Sequence, residues 1–277
     1  MAEITAATVK ALRERTGLPM MECKKALQEA GGDQDKAVEI LRKAGMKTME
    51  KRAGRETAFG RIAVFAEWDQ KAGAIVELLC ESAPVASNQE FVTLANDMAQ
   101  RLATGPGAGS PDELLAQPSA NGGVLKTRLD DLSNRIREVF RASRIARIDG
   151  TCGGYVHHNG ATAVLLQAEG GDAVLAKDIC MHIAAMRPTV VSQAELDPAL
   201  VAKEREILSE AARHEGKPEK VIEKMVEGRL RDFYAQRCLL DQPMANQMKY
   251  GNVTVGQLAQ QAGMKVLRFI HWEIGKE

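Results

Sequence analysis

Twice along this chain an alternating apolar stretch reverses through a polar turn and then runs into a helical apolar stripe. In the first instance Ile62, Val64 and Ala66 alternate with Arg61, Ala63, Phe65 and Glu67, and a turn at Asp69 to Gly73 leads into AIVELLC. Successive strand side chains point to opposite faces, so period two predicts a half-buried hairpin. Ser87 to Glu90 then has capping-box form, and Phe91, Leu94, Ala95, Met98 and Leu102 fall on one helix face. In the second instance Tyr155 to His158, a turn at Asn159-Gly160 and Ala163 to Glu169 predict another hairpin, Asn-Gly being a strong turn signal. Asp172 caps the next helix, whose stripe is Leu175, Ile179, Ile183 and Met186. The centre of the chain therefore reads as a duplicated β-β-α module. The copies differ at one place. The second crosses from strand to helix through Gly170-Gly171-Asp172, whereas the first uses the longer Cys80 to Ser87, CESAPVAS. A connection extended in only one copy is where function is expected.

Around this core the pattern is helical. The first 45 or so residues read as three short helices: Ile4, Val9 and Leu12 mark the first, which Gly17 ends, and Pro19 sits in the first turn of the second, Met20 to Ala30. Gly31-Gly32 supplies its left-handed cap, and Asp33 caps a third helix carrying Ala37, Val38, Ile40 and Leu41. So thin a bundle leaves two roles open for Met20 and Met21 in TGLPMM, a partner face or completion of the core. Lys47 to Arg55 reads as a basic connector and Thr104 to Gly123 as a Gly/Pro/Ser-rich loop. A helix is predicted from Val124 to Ile145, with Leu125, Leu129, Leu132, Ile136 and Val139 in four- and three-residue steps. Asp197-Pro198 starts a charged helix reaching about Glu215, and after Gly216 another runs from Pro218 through Leu239, an antiparallel hairpin read as a protruding arm. Lys265 to Ile274 alternates weakly, as an edge strand would. The class is α+β, with divisions at residues 1–46, 47–59, 60–147, 148–194, 195–240 and 241–277.

Composition narrows the function. Lys+Arg and Asp+Glu both total 37 in 277 residues, so there is no basic surplus of the kind that grips nucleic acid. Five scattered cysteines, an odd number, indicate free thiols in a reducing compartment. The N-terminus lacks a secretory pattern, and no apolar run approaches the roughly 20 residues of a membrane span, so a cytosolic location without membrane contact is expected. Catalytic patterns are missing: GPGAGS at Gly105 to Ser110 lacks the Lys-Ser/Thr of a P-loop, and no Gly-x-Ser-x-Gly or His-Glu-x-x-His occurs. Cys152 with His157 and His158 suggests a zinc site or a thiol dyad, but neighbouring strand residues face opposite ways and a fourth ligand is missing. Cys180 and His182, two apart on a helix, do not face each other, and His182 reads as a core or interface histidine. No catalytic residue, metal or cofactor is expected. The chain reads as one that works by binding another protein.

Several long motifs carry a resemblance: TGLPMMECKKAL (Thr16 to Leu27), AGR (Ala53 to Arg55), MHIAAMRP (Met181 to Pro188), GKPEKVIEKMVEGRL (Gly216 to Leu230), FYAQRCLLDQP (Phe233 to Pro243) and the closing VLRFIHWEIGKE. In this order they resemble bacterial translation elongation factor Ts over essentially the whole chain. The resemblance implies an N-terminal ubiquitin-associated-like (UBA-like) three-helix domain, a duplicated α+β core and a helical hairpin near the C-terminus. It also implies a role as guanine nucleotide exchange factor, which binds elongation factor Tu, GDP-bound and nucleotide-free, and speeds loss of the nucleotide. By position, the docking contacts implied are Leu12, Met20, Met21 and, in the linker, Lys51. The segment implied to disturb the partner's magnesium site is Ser82, Ala83, Pro84 and Val85. No direct nucleic-acid contact is implied, and the hairpin leaves room for a homodimer or a 2:2 complex.

The family's familiar segment is Thr-Asp-Phe-Val, so Ala83 stands where it has Asp and Pro84 where it has Phe. Burying a Phe side chain is worth about 1.5–3 kcal/mol, so its loss corresponds to a complex roughly ten- to a hundred-fold weaker. Alternatively, the rigid proline pre-organises the loop and the backbone does part of the pushing. Two rival readings remain: a Tu-binding or chaperone-like partner without efficient exchange, and a thiol or zinc hydrolase built on Cys152 and His157.

Overall fold

The computed structural model describes residues 4–216 and 218–276; Met1, Lys217 and Glu277, which fall within stretches interpreted from the sequence, lie outside the described residues. The fold is mixed α+β, with two three-stranded antiparallel sheets among helices. The chain divides into two compact units, Met1–Ala63 with Val76–Ile145, and Val64–Ile75 with Ala146–Glu277.

The chain opens with α1 (Ala6–Thr16), α2 (Met20–Glu29) and α3 (Gln34–Arg52). Each boundary has a local cause. Thr5 and Asp33 accept backbone N–H bonds at the starts of α1 and α3, and Gly17 ends α1 at φ 69. Gly31 and Gly32, at φ 64 and 93, turn the chain after α2, with the Gly32 N–H donating to Leu27 O at 2.9 Å. Pro19 stands just ahead of α2 as its N-cap. Val9, Leu12, Cys23, Ala26, Leu27, Ala37 and Leu41 form the buried core of these helices. α3 continues to Arg52, so residues 47–52 of the expected connector are helical. The run KAGMKTMEKR has no proline to stop it, and Gly45 alone costs a helix only about 1 kcal/mol.

Next come β1 (Phe59–Phe65), β2 (Ala72–Cys80), α4 (Ala83–Ala86), α5 (Gln89–Thr104), α6 (Pro111–Leu115), α7 (Leu125–Ile136) and β3 (Arg141–Asp149). The first predicted hairpin and helical stripe are present, and Phe91, Leu94, Met98 and Leu102 are all buried. Two readings need correction here. The long helix from Val124 stops at Ile136, because Arg137 adopts a left-handed conformation, φ 68, and its N–H caps Ser133 O; the chain then continues as β3. Neither Gly nor Pro marks that stop, and Val139 keeps the apolar step across it. The helix start also moves by one: Asn88, not Ser87, accepts the Glu90 and Phe91 N–H groups. The Gly/Pro/Ser-rich stretch is anchored by a buried carboxylate. Asp97 accepts Ser119 Oγ at 2.5 Å and Ala120 N at 3.1 Å and pairs with Arg128.

The rest of the chain holds β4 (Cys152–Val156), β5 (Thr162–Glu169), α8 (Ala173–Met186), α9 (Pro198–His214), α10 (Glu219–Arg237), α11 (Gln247–Tyr250), α12 (Val255–Gln261) and β6 (Lys265–Glu273). β6 pairs antiparallel with β5, Leu166 facing Phe269, and is the edge strand expected. A cluster of Val164, Leu166, Leu175, Ile179, Ile183, Val255 and Met264 closes this core. α9 and α10 pack on each other around Ala212, Ile222, Val226 and Leu230. Arg205–Glu227 at 2.6 Å and Arg229–Glu215 at 2.8 Å tie their outer sides. His157 and His158 lie in the turn beyond β4, not on the strand, with ring centroids 4.2 Å apart. All five cysteines are free and buried. Among the described residues, no helix is long and apolar enough to cross a membrane.

Candidate partner-binding site

Within the first unit the expected docking residues divide into two kinds. Met20 and Met21 open α2 at 49% and 72% exposure, whereas Leu12 is fully buried. The open question about the two methionines is thereby answered: they are surface, not core. Leu12 is enclosed in the core of these helices, behind the face that carries the two methionines. The turn presenting the methionines is braced: Thr16 Oγ1 donates to Leu12 O at 2.8 Å, and the Leu18 N–H donates back to Thr16 Oγ1 at 3.4 Å. A side chain at Gly17 would strike the Arg135 side chain packed over it. Lys51 is exposed in the last turn of α3.

The extended crossing after β2 is not an open loop. Its residues 83–86 make the single turn α4, with Ala83 and Pro84 exposed and Val85 half-buried. Four residues cannot hold a helix on their own propensity, because nucleation fixes several dihedrals for one hydrogen bond. The support comes from elsewhere. The Glu138 carboxylate accepts three donors at the base of the turn: Glu81 N and Ser82 N, each at 3.1 Å, and Ser82 Oγ at 2.5 Å. Glu81 reciprocates by accepting Val139 N at 2.8 Å while pairing with Arg55 at 2.9 Å. Burial pushes the Glu81 carboxyl up, but the Val139 N–H and the Arg55 guanidinium outweigh burial and hold it below its ordinary range.

Both faces lead to one corner of the chain, the Arg137-Glu138 turn that ends α7. Arg137 pairs with Glu22, the residue after Met21, and its carbonyl accepts Arg52 Nη1 at 2.5 Å, beside Lys51. Ser133 Oγ donates to Glu138 O at 2.5 Å and locks the same turn. Sequence reasoning alone passes over Glu81, Arg137 and Glu138. Glu138 lies 56 positions from Ser82, and nothing in the spacing of a single sequence signals such a bond.

Among the described residues, the thiols and histidines singled out from the sequence form no reactive pair. Burial, with Glu138 nearby, pushes the Cys80 thiol up to about 12, which keeps it protonated and inert. Cys152 is buried and donates to Ile148 O at 3.7 Å, while His157 is bonded to Tyr155 OH at 2.9 Å, so the two are engaged elsewhere instead of forming a dyad. Among the described residues no group of three or more His, Cys, Asp or Glu is placed to hold a metal. What the arrangement presents to solvent is two exposed methionines, a lysine and a clamped one-turn helix.

Comparison with known proteins places the chain. The profile of the family described as Elongation factor TS matches residues 81–276, beginning at the crossing itself. Proteins named Elongation factor Ts from Thioalkalivibrio sulfidiphilus and Methylococcus capsulatus are each 42% identical over 276 residues, covering 99% of this chain and 92% of their own. One from Lactiplantibacillus plantarum is 40% identical over 280 residues, covering 100% of this chain and 94% of its own. With likeness this extensive over nearly the full length of both chains, the protein belongs to the elongation factor Ts family.

Proposed function

We propose that this chain releases GDP from elongation factor Tu by docking through Met20, Met21 and Lys51 while pressing Ser82, Ala83, Pro84 and Val85 toward the nucleotide's magnesium ion. The family is that of the nucleotide exchange factor for elongation factor Tu in translation elongation, a binding protein and not a catalytic enzyme. The observation that carries the proposal is the clamped turn after β2, which presents Ala83 and Pro84 to solvent from a base fixed by Glu138. No acid, base or nucleophile is needed. A protein that binds empty Tu more tightly than GDP-bound Tu must weaken GDP binding by the same factor. Magnesium neutralises phosphate charge, so disturbing its shell removes much of what holds the nucleotide.

On this reading residues 1–46 are the UBA-like docking domain, 47–59 a linker, and 60–147 and 148–194 the two copies of a duplicated β-β-α module. The shared order β1-β2-α5 and β4-β5-α8 supports the duplication. Residues 195–240 are the antiparallel hairpin, and 241–277 complete the core. A homodimer or 2:2 complex would cover the exposed Leu200, Ile207 and Val221 of that hairpin. The protein works in the cytoplasm, without direct nucleic-acid contact. The test is stopped-flow release of a fluorescent GDP analogue from Tu. Acceleration by micromolar protein is expected, and its absence refutes exchange. The small residues at 83 and 84 favour one second reading, a Tu partner that binds without efficient exchange; binding that persists while release stays slow identifies it.

A further inference from the structure

We infer that Glu138 is a positioning residue for nucleotide exchange: it fixes where the α4 turn stands without touching the partner's nucleotide. The inference rests on the exchange reading above. Ser82 is the N-cap of α4, yet its hydroxyl makes no capping bond to the helix it precedes. Ser82 Oγ is directed instead to Glu138 Oε1 at 2.5 Å, while Glu138 Oε2 takes the Glu81 and Ser82 N–H groups. A four-residue helix whose N-cap hydroxyl and the two N–H groups just ahead of its first residue are held from outside takes its orientation from the holder.

The holder is itself fixed on every side. Arg137 N donates to Ser133 O at 2.7 Å, Ser133 Oγ to Glu138 O at 2.5 Å and Arg52 Nη1 to Arg137 O at 2.5 Å. Arg137 keeps a left-handed backbone, φ 68, that only such surroundings maintain in a residue other than glycine. From the same corner the Arg137 side chain reaches Glu22 on the helix that presents Met20 and Met21. One turn therefore holds the base of the pressing turn and also touches the docking helix. Glu138 acts by reach and hydrogen-bond geometry, not by its charge.

Two near-isosteric variants separate those causes. In Glu138→Gln the amide oxygen can still accept both N–H groups, and the amide NH2 can donate to Ser82 Oγ, so the reach survives without the charge. In Glu138→Asp the charge survives but the side chain is one methylene short. GDP-analogue release is followed at increasing concentrations of full-length protein, giving a maximal rate and a half-saturating concentration. Glu138→Asp is expected to lower the maximal rate about ten-fold while the half-saturating concentration stays within about two-fold, and Glu138→Gln to stay within about two-fold of the parent in both. Ser82→Ala should slow release in the parent and add nothing in Glu138→Asp, as groups acting through one contact do. Parent-like release by Glu138→Asp overturns the inference, and so does loss in Glu138→Gln with retention in Glu138→Asp, which would assign the effect to charge. If the parent itself releases no nucleotide, the exchange reading falls and the inference with it.

Discussion

The two strand-to-helix crossings join the same kinds of element under opposite constraints. After β5 the chain enters α8 through Gly170 and Gly171, both left-handed at φ 68 and 72. A Cβ on Gly170 would collide with Gly263 O, and one on Gly171 would lie 2.8 Å from Met264 Cβ. That crossing is packed shut. After β2 the chain adds a helical turn, leaves Ala83 and Pro84 exposed, and holds the turn from its base through Glu138. The first kind of crossing is constrained by sterics and tolerates almost no side chain. The second is constrained by polar bonds at its root and leaves its tip open to substitution.

The comparison breaks most readily at the tight crossing. Gly170→Ala forces a left-handed residue against a backbone oxygen, and we expect a loss of about 3 kcal/mol in urea unfolding; a loss under about 1 kcal/mol would show the crossing to be slack. At the open crossing the pair Ala83→Asp, Pro84→Phe should change GDP release by ten- to a hundred-fold, equivalent to ~1.5–3 kcal/mol, while global stability moves by less than about 0.5 kcal/mol. A large drop in stability would mean that its tip is packed after all. Met20→Ala with Met21→Ala should weaken Tu binding by about 1–2 kcal/mol in calorimetry, again with the melting temperature unmoved.

The smallest expected effect belongs to α8, the helix behind the tight crossing. Its buried His182 accepts the Ala245 N–H at Nδ1, 3.1 Å, so Nε2 carries the proton toward Gln242 Oε1 at 2.8 Å. Burial, only partly offset by Gln242, holds this imidazole below its ordinary pKa, and burial with Arg187 does the same to His271. Both stay neutral in the fold, whereas the unfolded chain takes up protons near pH ~6.5. Their contribution is therefore fully present above that pH and is lost as pH falls through the depressed folded values. The melting temperature should drop between about pH 7.5 and 5.5, less so in His182→Gln; a flat profile would contradict this account.

What the sequence made legible depends on how locally each feature is encoded. Gly17, Gly31-Gly32, Asp33, Asn159-Gly160 and Asp172 act on their immediate neighbours, and the turns and caps they mark are where they were expected. The apolar stripes of α5 and α8 were equally readable, since periodicity alone carries them. The stop of α7 was not: an arginine there adopts a glycine-like conformation because Ser133, Arg52 and Glu22 hold it, and the last two contacts lie outside any local window. For the same reason no local pattern singles out Asp97 or Glu138, although one is buried under Ser119 and Arg128 and the other holds the turn at Ser82. The exposure of Met20 and Met21 needed three dimensions, because the sequence left them open between the core and an outer face.

The sequestered thiols turn the molecule into its own set of stopwatches. Cys23 sits among the N-terminal helices, Cys80 beside the open crossing, Cys180 on α8 and Cys238 where α10 ends, each buried. Burial pushes the Cys238 thiol up to about 11, much as it does Cys80, so a brief pulse of alkylating reagent stays silent until a region parts. Mass spectrometry of the labelled peptides would then time the opening of each neighbourhood separately, with no foreign probe introduced.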